Sequence, residues 1–390
     1  MENDQAFLDE VRSFLSERLT PDLRAAGQRT TGTHSDIEAC RIWHRRLYER
    51  GWIAPAWPLA HGGTGWSARQ RFLFERECAL NDAPILFAGG IRSIGPLLIS
   101  MGTLEQRERY LAPILTGDDL WCQGFSEAGA GSDLAALGTR AVRDGDAYVV
   151  NGAKIWTTGA HHANRMFALV RSARGARPQE GITFLLIDMA TPGLKVEPIL
   201  SFDGDHEFNQ VIFDDVRVPL ANRVGAEGEG WAVAKHLMRF ARSNNTTSGL
   251  LRRAYRALER LLAAGPEADA GFPARLAAIG TELRAFESFE LRLMSEGRLA
   301  GDDEVSSSLM KCMASELHQR ITEIALDLAG PYAAVAGTLN GNSPAFAGEA
   351  AHAAHKYFST RAASIYSGTN ETHRNIIGRS IAAPREHPRH

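Results

Sequence analysis

The densest chemistry in this chain lies in Phe125-Ser126-Glu127-Ala128-Gly129-Ala130-Gly131-Ser132-Asp133. Its glycines and small neighbours let a backbone approach a ligand closely. The Ser126 and Ser132 hydroxyls can donate to polar ring or phosphate atoms. By itself such a stretch is as readily an ordinary turn entering a new domain. Asn151-Gly152-Ala153-Lys154-Ile155-Trp156-Thr157-Thr158-Gly159 follows at a distance that suits a neighbouring strand. There Trp156 offers a flat apolar face, and Thr158, two residues on, places a hydroxyl on the same face of a strand. Phe213-Asp214-Asp215-Val216-Arg217-Val218-Pro219 and Tyr366-Ser367-Gly368-Thr369-Asn370-Glu371-Thr372-His373-Arg374-Asn375 complete the set.

Other polar residues read more blandly. His161 and His162 are adjacent, and neighbours on a strand face opposite ways, so a turn or surface role is expected. His34, His44, His61 and His206 show no HExxH-like spacing, so no metal site is expected. Phe202 to Phe208, with Asp203, Asp205 and His206, reads as a solvated loop between strands. Asp118-Asp119 reads as surface turn chemistry. Trp43, Trp52 and Trp57 read as core, and Arg41 to Arg46 as the solvated side of an amphipathic helix. Ser243-Asn244-Asn245-Thr246-Thr247-Ser248 is unusual for a helix interior and reads as a polar lining or subunit contact.

The elements that must position these residues change character twice. Phe7, Leu8, Val11, Phe14, Leu15 and Leu19 recur at helical spacing until Thr20-Pro21. A second helix is expected from Ile37 to Arg50, ending at Gly51, then a loop with packed rings from Trp52 to Trp66, then helices from Ser67 to Leu115. Near Leu120 the texture becomes that of strands. These are expected around Asp144-Gly145-Asp146, at Met166–Arg171, Ile182–Asp188, Leu194–Ile199 and Gln210–Val218, with Asn151-Gly152 as a tight turn. Helical pattern returns after Gly225 to Gly230, broken by loops at Pro266 to Pro273 and Gly337 to Pro344. The expected class is α+β multidomain: a helical domain over 1–119, an antiparallel β-barrel or sandwich over 120–228, and a helical bundle over 229–390. A β-layer between helical blocks makes a cleft where a large cofactor can bind.

Bulk properties narrow the class. The chain has 390 residues and a formal net charge of -3, which gives no basic face for nucleic acid. Four cysteines with no CxxC pair fit a reducing compartment, and the acidic N-terminus does not resemble a signal peptide. No apolar stretch is long enough to span a bilayer. A cytoplasmic enzyme or enzyme subunit is expected.

In order and spacing the four stretches resemble the acyl-CoA dehydrogenase family over nearly the whole chain. The resemblance implies a helical domain, a β-domain and a C-terminal four-helix bundle, assembled as a homodimer or dimer of dimers, with hetero-oligomers in some branches. It implies FAD, held by Gln123, Phe125, Ser126, Gly131, Ser132, Trp156, Thr158, Thr369 and Glu371. It implies an acyl-CoA or acyl-carrier-protein thioester as substrate, near Ser132 and Arg242, and electron-transfer flavoprotein or oxygen as acceptor. In the family a glutamate removes the α-proton while the β-hydrogen leaves as hydride. The thioester carbonyl is polarised by a flavin hydroxyl and by a backbone N–H at the catalytic position.

The chain departs from that pattern at the base. Most of the family places the glutamate where this chain has Ser367, and a second branch places it where this chain has Ala241, before Arg242. Neither residue can abstract an α-proton unaided. Arg253-Ala254-Tyr255-Arg256 and Asp327-Leu328-Ala329-Gly330-Pro331 also differ from the family's R-x-x-F-G and Q-x-x-G-G motifs. Four readings follow. The base lies elsewhere, at Glu371, His236, Asp203 or Asp205; or alanine stands for a native glutamate at 241 in an engineered, disabled form; or the scaffold serves a flavin monooxygenase; or the chain is a non-catalytic partner subunit. The dehydrogenase reading is favoured. Small residues at 241 and 367 favour a branched, cyclic or carrier-bound acyl group.

Overall fold

The computed structural model describes residues 2–241, 247–265, 271–298, 303–334 and 345–382. By its internal contacts the chain forms two compact units, Met1–Arg71 with Asn81–Ala241, and Phe72–Leu80 with Arg242–His390.

The first unit opens with α1 (Glu2–Arg18), α2 (Pro21–Gln28) and α3 (Ile37–Arg50). Pro21 starts α2 because its missing N–H falls where a helix has no partner for it. Asp36 caps α3 by accepting from Glu38 and Ala39, and left-handed Gly51 ends it. Arg41 and Arg45 of α3 are exposed, whereas Trp43 and His44 are buried, and His44 Nε2 meets Leu115 O at 3.0 Å. Trp43, Trp52 and Trp57 are all core residues. Helix α4 (Ala68–Leu80) runs from this unit into the second; α5 (Gly95–Met101) and α6 (Leu104–Thr116) complete the opening helices.

Eight strands follow: β1 (Trp121–Gly124), β2 (Arg140–Asp144), β3 (Ala147–Lys154), β4 (Arg165–Arg171), β5 (Ile182–Asp188), β6 (Leu194–Ile199), β7 (Phe208–Pro219) and β8 (Arg223–Val224). They form one sheet in the order β6-β7-β3-β2-β4-β5-β8, with β1 added to β4. Pairing is antiparallel except for β1–β4 and β2–β4. Tyr148, Val150, Met166, Ala168, Leu185 and Val211 build its core. The helix α7 (Gly230–Ala241) packs on β5 and α5.

Two sequence expectations fail in this sheet. Asn151-Gly152 is not a turn; it lies inside β3, at a register shift against β7. Gly152 has φ 143°, and a Cβ there would lie 2.8 Å from the Thr139 Cα, so the glycine serves a bulge and a close backbone approach. The turn is at Gly145, which is left-handed between β2 and β3. Asp119, expected at the surface, is buried and accepts from Asn164 Nδ2 at 3.1 Å.

The second unit is helical. Around α10 (Glu304–Ala329) pack α8 (Ser248–Ala264), α9 (Gly271–Ser295), α11 (Ala345–Thr360) and α12 (Asn370–Ala382). Leu251, Leu283, Phe286, Met310, Leu317 and Ile321 form the core. Gly271 to Pro273, expected in a loop, begin α9. The expected loop over 337–344 and residues 243–246 lie outside the described residues.

Candidate active site

In the first unit the glycine-rich stretch leaves β1 as a loop tied at both ends. Phe125 is buried edge-on against Phe167 and Phe184. Glu127 and Ala130 exchange two backbone hydrogen bonds, 3.1 and 3.0 Å, making a tight turn. Beyond that turn Gly131 and Ser132 are exposed, as is Gln123 on β1, while Ser126 is half-buried. A Cβ on Gly129 or Gly131 would meet nothing within 4 Å. The fold therefore does not need these glycines for its own packing, and they leave a bare backbone open to a ligand.

Three residues that the sequence reading passed over hold this loop. Glu127 Oε1 accepts from Lys154 Nζ at 2.7 Å and from Thr139 N at 2.9 Å, while Oε2 accepts from Gly138 N at 2.7 Å. Lys154 is completely buried and also donates to Phe125 O at 3.2 Å. Burial pulls the Lys154 ammonium down, although Glu127 opposes it. At Glu127 burial pushes the carboxyl up, but Lys154, Thr139 and Gly138 outweigh that and hold it below the ordinary range. Arg171, at the end of β4, donates to the carbonyls of Ala135 (2.6 Å), Pro178 (2.9 Å) and Glu180 (2.8 Å). A fully inward lysine at the end of a strand is the one sequence signal that could have marked this lock.

The second stretch lies beside the first, because Ile155 N donates to Ser126 O at 2.9 Å. Here the strand expectation fails. Strand β3 ends at Lys154, and Trp156 is left-handed with φ 59°, so Trp156 and Thr158 do not share a strand face. The indole is 58% exposed, with only the edge of Phe208 beside it, and Thr158 is half-buried. The chain thus holds a large apolar ring out on a left-handed backbone, the kind of strain that collects at functional sites. Asn209, fully buried, holds the segment from behind. It exchanges backbone bonds with Thr157 (3.0 and 3.1 Å), and its Nδ2 donates to Thr157 O at 3.0 Å. Thr157 Oγ1 is buried with no hydrogen-bond partner.

Histidines gather behind this segment. His161 stacks on His206 and touches His162, with ring centroids 3.9 Å apart in both cases. His161 Nδ1 and His206 Nε2 both reach the Asn209 amide. They occupy a turn, as expected for His161 and His162, but a turn lets neighbouring rings meet where a strand would part them. His206 is accordingly packed in the loop before β7 rather than merely solvated. Among the described residues no group of three or more His, Cys, Asp or Glu could hold a metal ion.

The Phe213–Pro219 stretch is structural. Asp215 and Asn151 exchange two hydrogen bonds of 2.9 Å across β3 and β7. Asp203 is buried in the loop before β7, accepting from Ser201 Oγ (2.5 Å) and Asp205 N (3.1 Å), so its carboxylate is committed to the turn. His236, on α7, meets Ser100 Oγ at 2.9 Å. Ala241 is the last residue of α7; Arg242 lies outside the described residues.

In the second unit Ser367 is exposed and left-handed, with φ 56°, and Gly368 follows at φ 89°. Thr369 caps α12, its Oγ1 accepting from Thr372 N at 3.2 Å. Glu371 is exposed in the first turn of α12. Its backbone N–H, the Thr369 hydroxyl, Arg374 and Lys311 hold its carboxyl below the usual range, the opposite of what a base for an α-proton needs. Tyr255 is core, and its hydroxyl donates to Leu276 O at 3.3 Å; Asp327 pairs with Arg275 at 2.7 Å.

Comparisons with known proteins identify the family. Family models for the N-terminal, middle and C-terminal domains of acyl-CoA dehydrogenases match residues 1–118, 122–216 and 228–382. The chain is 36% identical over 395 residues to acyl-CoA dehydrogenase IpdE1 of Mycobacterium tuberculosis, covering 99% of each. It is also 36% identical to the IpdE1 of Mycolicibacterium smegmatis, covering 98% of each. Among solved structures it is similar to the Tcur3481-Tcur3483 steroid ACAD (TM-score 0.83, 25% identity, 98% of this chain and 97% of that one). It is similar as well to the ChsE4-ChsE5 complex from Mycobacterium tuberculosis (TM-score 0.81, 29% identity, 100% and 98%). The chain belongs to the acyl-CoA dehydrogenase family, whose members are FAD-dependent oxidoreductases. Among the described residues no helix is long and apolar enough to cross a membrane.

Proposed function

We propose that this chain binds FAD and takes part in α,β-dehydrogenation of a bulky, ring-containing acyl thioester, with the proton-abstracting base contributed by an unlike second subunit. The observation that supports the reading is a glycine-rich loop firmly tied by Glu127 and Lys154, together with a left-handed turn that has a serine, not a carboxylate, at 367. The exposed Trp156, on a segment bonded through Ile155 N to Ser126 O, and the open backbone at Gly129 and Gly131 suit a flat, phosphate-bearing cofactor. Ser126, Ser132 and Thr158 would bond the ring edge and phosphates, and Trp156 would cover a ring face; Thr369 and Glu371 are assigned to FAD by the family resemblance alone. Bound there, FAD supplies the acceptor for the substrate's β-hydride.

The chain's own part in the chemistry is polarisation and exclusion of water. In this reading the Ser367 N–H takes the thioester carbonyl and so acidifies the α-proton. The Ser367 hydroxyl is too weak to remove that proton, and Ala241 has no group to do so. Two similar structures carry paired names, Tcur3481-Tcur3483 and ChsE4-ChsE5, which supports a two-chain enzyme; the steroid in the first title supports a ring-containing acyl group.

The test is anaerobic mixing of acyl-CoAs with the purified chain, alone and with a homologue encoded beside it. Flavin should be retained by the chain and bleach only when the second protein is present. Bleaching by the lone chain would place the base within it. Reduction only by an external reductase, followed by oxygen uptake, would replace dehydrogenation with a monooxygenase reaction. Purification without flavin would make the chain a non-catalytic subunit.

A further inference from the structure

An imidazole lies against the carbonyl of the turn that carries Ser367. Two consecutive left-handed residues, one of them not glycine, cost about 1–2 kcal/mol at the serine and need compensating contacts. His373, buried one turn into α12, has Nε2 3.1 Å from Ser367 O. A carbonyl only accepts, so Nε2 carries the proton. Nδ1 then has the lone pair, and it takes the Ser308 hydroxyl at 3.0 Å, from a fully buried position on α10. The ring also lies against Gly368: a Cβ there would come within 2.9 Å of Nε2. On the same face of α10, buried Lys311 clamps both sides of the turn, donating to Ala363 O at 2.7 Å and Asn370 Oδ1 at 3.2 Å.

We propose that His373 is a positioning residue for the carbonyl-polarising group at 367. By fixing the Ser367 carbonyl against a ring that Ser308 orients, it sets the conformation of the turn and with it the direction of the Ser367 N–H. The inference rests on the reading that this N–H receives the thioester carbonyl. It explains why a serine remains left-handed there: its carbonyl has a fixed donor, and the glycine after it has no room for a side chain.

The test compares His373→Leu with His373→Gln in the FAD-bound chain together with its partner. Leucine fills the space but donates nothing, whereas the glutamine amide can still donate to Ser367 O. With leucine the flavin-bleaching rate at saturating thioester should fall roughly 10- to 100-fold, less than outright loss of a donor. The half-saturating concentration should change less, by about threefold at most, since the bond to the carbonyl oxygen is stronger in the transition state than in the bound substrate. Amide exchange at 365–369 should quicken, and glutamine should restore most of both signals. An unchanged rate and unchanged exchange in the leucine variant would overturn the proposal. So would equal losses in both variants with a matching fall in melting temperature, the mark of a purely structural residue. If no thioester bleaches the wild type, the functional reading fails and the exchange comparison alone decides the role of His373. Should the leucine variant not fold, Ser308→Ala, which frees the ring without removing it, should quicken exchange at the same residues; no change there would overturn the proposal.

Discussion

Lys154 Nζ and Glu127 Oε1 lie 2.7 Å apart, with the lysine wholly buried and the glutamate nearly so, and this pair joins the end of β3 to the glycine-rich loop. The same carboxylate takes the N–H groups of Gly138 and Thr139, so one side chain closes both ends of the loop. The pair thus buckles the glycine-rich loop to the end of β3. With the Glu127–Ala130 backbone turn and the Arg171 bond to Ala135 O, it holds the loop's shape.

Lys154→Met should therefore be strongly destabilising. It leaves a mostly buried carboxylate without its cation, a change that typically costs about 3–5 kcal/mol. Denaturant unfolding of the cofactor-free protein measures the loss. Glu127→Gln added to Lys154→Met should recover part of it, because no charge is stranded and the amide oxygen can still accept from one of the Gly138 and Thr139 N–H groups, which now bond different carboxylate oxygens. A single variant as stable as wild type would remove the buckle from the account.

Trp156 separates stability from function. Its indole is 58% exposed and its backbone is left-handed, so the free protein gains little from it. Trp156→Gly relieves the left-handed strain while adding chain entropy to the unfolded state. Stability of the cofactor-free protein should stay within about 1 kcal/mol of wild type. FAD affinity, read by fluorescence recovery on dilution, should fall at least about tenfold, from lost ring stacking. Unchanged affinity would mean that the indole faces something other than flavin.

Several elements were readable because local chemistry and tertiary demand agree. Ile182–Asp188 and Leu194–Ile199 are strands bounded by glycine, and Pro21 opens α2 where a helix spares an N–H. The misreadings come where a distant contact wins. Asn151-Gly152 has a hairpin composition, yet its glycine is required by the Thr139 backbone just before β2. Trp156 and Thr158 sit two apart as on a strand, yet Lys154 is the last residue of β3. The loop's composition pointed to a ligand, while Arg171 and Asn209 carry no signal of their own. Their roles depend on carbonyls of residues as much as 52 positions away, which periodicity cannot register.

Glu290 gives the helical unit a pH dependence. It is buried on α9, accepts from Ser248 N at 2.9 Å, and is pushed up to about 7, by burial first and by Glu75 and Glu287 in addition. A carboxyl whose folded pKa exceeds its unfolded one contributes fully below about 4.5 and loses that contribution as pH rises through about 7. The separation is worth roughly 3 kcal/mol at most. Glu290→Gln keeps an acceptor for Ser248 and carries no charge. It should match wild type near pH 5 and be more stable by about 1–3 kcal/mol at pH 8. Melting at the two pH values tests this, and a constant offset between the proteins would refute it.

Ala241→Glu asks where the base belongs. Position 241 ends α7 inside Phe240-Ala241-Arg242, the context in which one branch of the family carries its glutamate. A positioned general base contributes about 10²–10⁴ in rate, so the substitution should let the lone chain bleach its flavin with acyl-CoA at least about 100-fold faster. Only the ionised carboxylate accepts the α-proton, so the gained rate should rise with pH and level off above the new group's pKa. Desolvation by substrate should set that pKa above the ordinary glutamate value. Ser367→Glu is the control, because 367 is exposed and left-handed and tolerates a longer side chain without repacking. Gain at 241 but not at 367 would show that the pocket helix of this chain still presents its residue to the α-carbon. No gain at either position, over a panel of linear and ring-containing thioesters, would mean that neither position reaches the α-carbon.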